Sequence, residues 1–292
     1  MVSIFFSIWP SLASGLPWGC FLLVVATFVL GERRRQQPKA SSEPSPLSEM
    51  QKLSKSQNLR QIQECQAARQ PYDAFLVLNV EGTCVEGSAA FDYPNEIIEW
   101  PVCLLRWQDK DEAGTAKKLQ VVDEFRSFVK PTWRPRLSKF CTQLTGITQE
   151  QVDSAPTFTE LSELFKSFME RNALIEPITG RRLIRYCWCS DGPYDVRDFV
   201  VKQCFISKPN MTQSGFHLPT RITLTIPRQL QVLGLGPFEG RQHSGIDDAR
   251  NIARILIELA KRGVRIQTNT TINPNKRWPW MGRRGKILDN YH

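Results

Sequence analysis

The run AFLVLNV, Ala74–Val80, constrains this chain more than any other stretch. A half-exposed strand alternates polar and apolar positions, and this one is apolar almost throughout, so it reads as a central strand. Two polar side chains close it, Asn79 and Glu81. Positions i and i+2 of a strand face the same side, so one amide and one carboxylate are presented together. A metal-binding strand end would be expected to carry an acid where Asn79 stands.

Around that strand the hydrophobic period switches between 2 and 3.6. Asn95–Trp107 and Leu119–Lys130 read as strands, with Pro101 marking a bend or bulge in the first. LSKFCTQLTGI reads as a short helix stopped by Gly146. TFTELSELFKSFMERN takes Thr157 or Thr159 as its N-cap and places Leu161, Leu164, Phe165 and Phe168 on one face. RLIRYCWCS is a further strand, and PYDVRDFVVKQCF a helix with Pro193 near its start. TIPRQLQVLGLG is a helix closed by Gly234 or Gly236, and SGIDDARNIARILIELAKRG a long amphipathic helix ending at Gly263. Strands first, then helix, strand, helix and helix, describe an α/β domain: a mixed sheet with helices on both sides.

That domain is expected over residues 71–265. Residues 2–31 carry no charged side chain and precede Arg33, Arg34 and Arg35. The length suits a membrane span, and the trailing positive charge places the rest of the chain on the cytoplasmic side. Residues 1–31 therefore read as an N-terminal anchor or targeting segment, with a cleaved signal peptide as the alternative. A soluble cytoplasmic or nuclear protein follows if the segment is not part of the working chain. Residues 32–70, rich in Arg, Gln, Ser, Pro and Lys, read as a polar linker. Residues 266–292 form a basic, aromatic tail in which Lys276, Arg277, Arg283, Arg284 and Lys286 interleave with Trp278 and Trp280. The 38 Lys+Arg against 29 Asp+Glu give a net charge of +9, which favours an anionic partner. Cys187 and Cys189 form a C-x-C without a second pair at zinc-ligand spacing, so reduced thiols fit better than a zinc or disulfide framework.

Acid and imidazole groups cluster near the ends of elements. Glu81 and Asn79 end the first strand, Asp195 opens a helix with Asp191 just before it, and His243 precedes Asp248 in the last long helix. A loop histidine and a helical aspartate at that spacing can meet in one pocket. Glu96 and Glu99 flank an apolar run and are expected to face solvent, and His217 reads as a loop residue.

The segments LNVEGTC, NEIIEWPVCLL, LSKFCTQLTGITQEQVDSAPTF, DGPYDVRDFV and HSGIDDARNIARI, in that order from about Tyr72 to Gly263, resemble the Eri-type 3′–5′ RNA exonucleases of the DEDDh superfamily. The resemblance implies a ribonuclease-H-like fold. It also implies removal of nucleotides from RNA 3′ ends, with two Mg²⁺ or Mn²⁺ ions held by four carboxylates. By the same resemblance Glu81, Asp195 and Asp248 are metal ligands, with Glu81 also counted in the catalytic set. His243 is the general base, Glu96 stands near the nucleotide, and Asn79 replaces the first aspartate. An amide oxygen is a neutral, weaker ligand, so the departure implies weakened binding of at least one ion. Two readings stay open: an exoribonuclease weakened by Asn79, and an impaired RNA-binding or docking module, in RNA silencing for instance. Arg181, Arg182 and Arg185 beside Trp188 suggest contact with single-stranded or small RNA through charge and stacking.

Overall fold

The computed structural model describes residues 67–87, 93–207, 224–270, 272–283 and 286–288. The apolar run 2–31, most of the polar linker and His217 lie outside the described residues. Among the described residues no helix is long and apolar enough to cross a membrane.

The strands are β1 (Ala68–Arg69), β2 (Ala74–Leu78), β3 (Glu81–Gly82), β4 (Ile97–Trp107), β5 (Thr115–Ala116), β6 (Leu119–Phe128) and β7 (Tyr186–Cys189). The helices are α1 (Lys139–Thr145), α2 (Gln149–Asp153), α3 (Phe158–Arg171), α4 (Val201–Ser207), α5 (Ile226–Leu233) and α6 (Gly245–Lys261). A π-helical stretch, Asp195–Val200, runs directly into α4. The main sheet has five strands. β4 pairs antiparallel with β2 and β3 along one edge and with β6 along the other, and β2 pairs parallel with β7. Folded structure begins before Tyr72, because β1 pairs with β5 in a separate ribbon.

β2 is apolar because both of its faces are covered. Leu76 and Leu78 join Val102 and Leu104 under α3, with Phe158, Leu161 and Phe168 from that helix. Phe75 and Val77 join Cys103 and Leu105 under α6, against Ile252, Ile255, Leu256 and Leu259. Pro101 makes no bulge. It lies opposite the break between β2 and β3, where β4 has no partner on that edge, and the register shift falls at Leu104/Leu105. A proline is tolerated in a central strand where no ladder bond is required.

Local signals fix the helix ends. Thr157 caps α3 and exchanges hydrogen bonds with Glu160 in a capping box. Gly146 closes α1 at φ 73°, a left-handed conformation natural to glycine. Leu164 differs from expectation: it is 51% exposed, because the buried face of α3 is narrower than its apolar stripe. The segment read as a separate tail packs into the domain instead. Trp278 and Trp280 are 5% and 0% exposed and belong to the core beneath β2 and α3. Large indoles remove more apolar surface from water by docking than by remaining free to stack on bases.

Phe168 is fully buried, with ring centroids of Phe165 and Phe125 each 5.5 Å away. Phe168→Ala should destabilise the domain by about 3–5 kcal/mol in urea unfolding. A loss well under 1 kcal/mol would contradict this packing.

Candidate active site

β2 carries the chain out of the core at Asn79, and β3 restarts the pairing at Glu81, directly opposite Glu99 of β4. β7, parallel to β2, delivers Asp191 and then Asp195 to the same end of the sheet. The start of α6 closes the group from the other layer, with His243 just before it and Asp248 in its first turn. Three contacts lock these elements together. The Val80 N–H donates to Asp195 Oδ1 at 2.8 Å. The Gly245 N–H donates to Glu99 Oε2 at 3.1 Å. A Cβ on Gly245 would stand 2.6 Å from the Asn79 carbonyl oxygen, so only glycine lets α6 approach the end of β2 this closely.

The electrostatics show that these acids share one space. Glu81, Asp195 and Asp248 are 9%, 5% and 7% exposed. Burial, followed by the charges of Asp248, Glu99 and Asp195, raises Glu81 well above the usual carboxylate range. Asp195 is raised well above its range by burial and by Asp191. Asp248 is pushed up to about 7 by burial, with Asp191, Asp247 and Glu99 adding to the effect. Asp191 is pushed up to about 6 by burial and shares a hydrogen bond with Asp195. Two carboxyls can share such a bond only if one keeps its proton, so the pair titrates as a unit. Asp191, which was not among the ligands that the resemblance implies, is thus a member of the cluster.

Glu96 and Glu99 do not face solvent; they are 1% and 0% exposed. Glu96 accepts hydrogen bonds from the Thr132, Trp133 and Arg134 backbones and from the Thr132 hydroxyl, which shapes the loop after β6. Glu99 accepts from Arg126 Nε at 2.7 Å and from the start of α6. Its signal was the cross-strand register opposite Glu81, which no linear reading displays.

His243 lies on an exposed loop with φ 60°, rare for a residue other than glycine. Arg241 braces that loop. Its guanidinium donates to the carbonyls of Gln143 and Leu144 at 2.9 and 2.8 Å and to the His243 carbonyl at 3.2 Å. The Gly146 cap leaves room for it, since a Cβ there would stand 2.8 Å from Nη1. The Asp248 carboxylate accepts the His243 backbone N–H. Desolvation and then the Arg241 charge hold the imidazole below the usual histidine range, so it is a free base at neutral pH.

The donor set suits a hard divalent cation: several carboxylates in one desolvated space, whose crowding a cation relieves. Among the described residues no three of these side chains are drawn together as a ready-made cage. The Asn79 side chain is half-buried at the rim and has no hydrogen-bond partner among the described residues.

Arg181, Arg182 and Arg185 lie elsewhere, since they precede β7 while the acids follow it. Arg182 lies over the Tyr186 ring at 3.9 Å, and Arg185 pairs with Asp73. Trp188 packs against Trp100 and Phe165 at 6.1 and 5.7 Å, so its indole serves the core and is not a free platform for bases.

The exonuclease family model matches residues 77–256, which span every group named in this site. The 3′-5′ exonuclease eri1 of Schizosaccharomyces pombe is 33% identical over 231 residues, covering 70% of this chain and 71% of that protein. The rat 3′-5′ exoribonuclease 1 is 32% identical over 224 residues, 73% of this chain and 60% of that protein. The chain therefore spans about 60% of the length of the mammalian relative. Among solved structures, the nuclease domain of 3′hExo, a DEDDh family member bound to rAMP, superposes with a TM-score of 0.59 at 30% identity, covering 70% of this chain and 100% of that domain.

Two outcomes follow from the geometry. Arg241→Ala should lower turnover about tenfold, roughly 1.4 kcal/mol of transition-state stabilisation, with KM nearly unchanged. An unaltered pH–rate profile and turnover would show that the brace does not position His243. Secondly, the folded carboxyls bind protons more tightly than the unfolded chain does, so this contribution to stability is complete below the unfolded range. For Asp248 it is lost as pH rises from about 3.8 through about 7. In EDTA the melting temperature should fall across that window, and Mg²⁺ should restore it at the upper end. A flat or rising profile in EDTA contradicts the cluster.

Proposed function

Because this chain belongs to the Eri-type 3′–5′ exonuclease family of DEDDh nucleases, we propose that it hydrolyses phosphodiester bonds from the 3′ end of RNA, at a rate limited by Asn79. The observation that carries this reading is the convergence of Glu81, Asp195 and Asp248 at one strand end, with a neutral imidazole braced on the adjacent loop.

Glu81, Asp195 and Asp248 would hold a divalent cation, Mg²⁺ or Mn²⁺, with Asn79 as a weak neutral donor. When bound, the cation supplies positive charge against the developing charge on the attacking and leaving oxygens. His243 accepts a proton from the attacking water through its free ring nitrogen, and its lowered basicity keeps that nitrogen unprotonated at neutral pH. Arg241 and Asp248 fix the backbone that carries the imidazole on either side. Glu99, paired with Arg126, holds the first turn of α6 against β4, whose neighbour β3 carries Glu81.

The substrate class follows from the family and from the +9 charge. The S. pombe and rat relatives are named as a 3′-5′ exonuclease and a 3′-5′ exoribonuclease, and the solved nuclease domain holds rAMP. The rat name and the bound rAMP support RNA as the substrate class.

The unpartnered amide of Asn79 supports a second reading, a docking module that binds RNA without cutting it. An amide removes one negative charge from the set and turns an N–H₂ donor toward any cation that its oxygen does not meet.

The test is a labelled single-stranded RNA incubated with Mg²⁺ or Mn²⁺ and the chain itself, Asn79→Asp, or Glu81→Gln. Slow shortening by the chain is expected, with a gain of 10²–10³, about 3–4 kcal/mol, in Asn79→Asp and loss in Glu81→Gln. Shortening by Asn79→Asp alone selects the docking module. No shortening by either rules out the assigned chemistry.

A further inference from the structure

A cationic feature stands at the other end of β2 from the carboxylates. A cavity of about 280 Å³ opens there, lined chiefly by Arg69, Gln70, Glu112, Gly114, Arg185 and Arg265. Three guanidiniums face it against one carboxylate, Glu112. Among the described residues, the side chains of Arg69 and Arg265 have no acid partner and no hydrogen bond. Arg185 shares Asp73 with Lys110, whose Nζ lies closer, at 2.6 Å against 3.4 Å. Asp73 therefore leaves much of the Arg185 charge uncompensated.

The frame of the cavity is rigid. Gln70 is 2% exposed and clasps the segment after α6: its Nε2 donates to the Val264 carbonyl at 2.9 Å, and its Oε1 accepts from the Ile266 N–H at 2.9 Å. The Gln70 N–H donates to the Gly114 carbonyl at 2.8 Å, which fixes the turn before β5. Arg69 on β1 and Arg265 after α6 are thus held at a set separation although they are nearly 200 residues apart in sequence. Guanidiniums without acid partners, carried on a fixed backbone, suit phosphate oxygens, because the planar fork can give two parallel hydrogen bonds to one group.

We propose that this cavity binds a phosphate group of an RNA strand whose 3′ end lies in the carboxylate site, as a second anchor along the molecule. The proposal rests on the reading of RNA as the substrate class but not on cleavage. β2 separates the two sites by its full length, about 17 Å at roughly 3.3 Å per residue. Only an oligonucleotide can reach both, so the anchor would favour RNA of several nucleotides over a dinucleotide.

The test is binding of a fluorescent single-stranded RNA of about fifteen nucleotides to the full chain in EDTA, which separates it from hydrolysis. Arg69→Ala combined with Arg265→Ala should raise Kd about tenfold. It should also flatten the slope of log K against log salt by about 0.7, the value for one lost phosphate contact on a single strand. Lys166→Ala with Lys261→Ala removes the same charge elsewhere and should change neither. Circular dichroism checks that each variant is folded. Equal weakening by both pairs, or an unchanged Kd and slope in the arginine pair, overturns the proposal. Inorganic phosphate, titrated by calorimetry, is the competing source. If the arginine pair loses phosphate binding while its RNA Kd holds, the ligand is the free anion and the assignment to a strand falls. A chain that binds RNA through these arginines but never shortens it leaves the anchor standing and removes only the catalytic reading.

Discussion

Like charges gathered in a desolvated space are the constraint on which this site depends. Glu81, Asp195 and Asp248 come from β3, from the π-helical stretch after β7 and from α6; Asp248 raises the proton affinity of Glu81 and Asp195, and Asp195 raises that of Glu81. Nothing in their own chemistry favours that meeting. The two buried layers of the sheet enforce it, and so do short backbone contacts, with the Val80 N–H on Asp195 and the Gly245 N–H on Glu99. Packing energy spread over the core is stored locally as repulsion, which a cation can release.

The neighbouring groups divide into those that carry charge to the site and those that set geometry. Glu99 is as buried as any core leucine, yet Arg126 and the α6 terminus satisfy it, so it joins elements and leaves the open positions to Glu81 and Asp248. Arg241 does similar work on the other lip, spanning from the α1 carbonyls to the loop that holds His243 in a left-handed conformation. A charge-assisted brace suits a loop residue that must be accessible and still fixed.

Asn79 changes this balance in a definite direction. An amide is neutral, so Asn79 adds no charge to the cluster. The backbone is undisturbed, because the Asn79 carbonyl still packs against Gly245 and β3 still pairs with β4. Asn79 thus leaves the scaffold at this strand end intact.

The sequence by itself determined the central place of β2, the order of the longer elements and the stop at Gly146, narrowed two further helix ends to Thr157 or Thr159 and to Gly234 or Gly236, and singled out the acids and histidine as candidates. Each is written in local periodicity or in short motifs, which a linear reading captures. Tertiary structure alone decided the burial of Glu96 and Glu99, the membership of Asp191, the brace from Arg241 and the use of Trp188, Trp278 and Trp280 in the core. It also brought Arg69 and Arg265 to one cavity. Those outcomes depend on cross-strand register and on contacts between residues far apart in the chain. A side chain does not encode whether water or another strand will cover it; the partner that arrives from elsewhere decides.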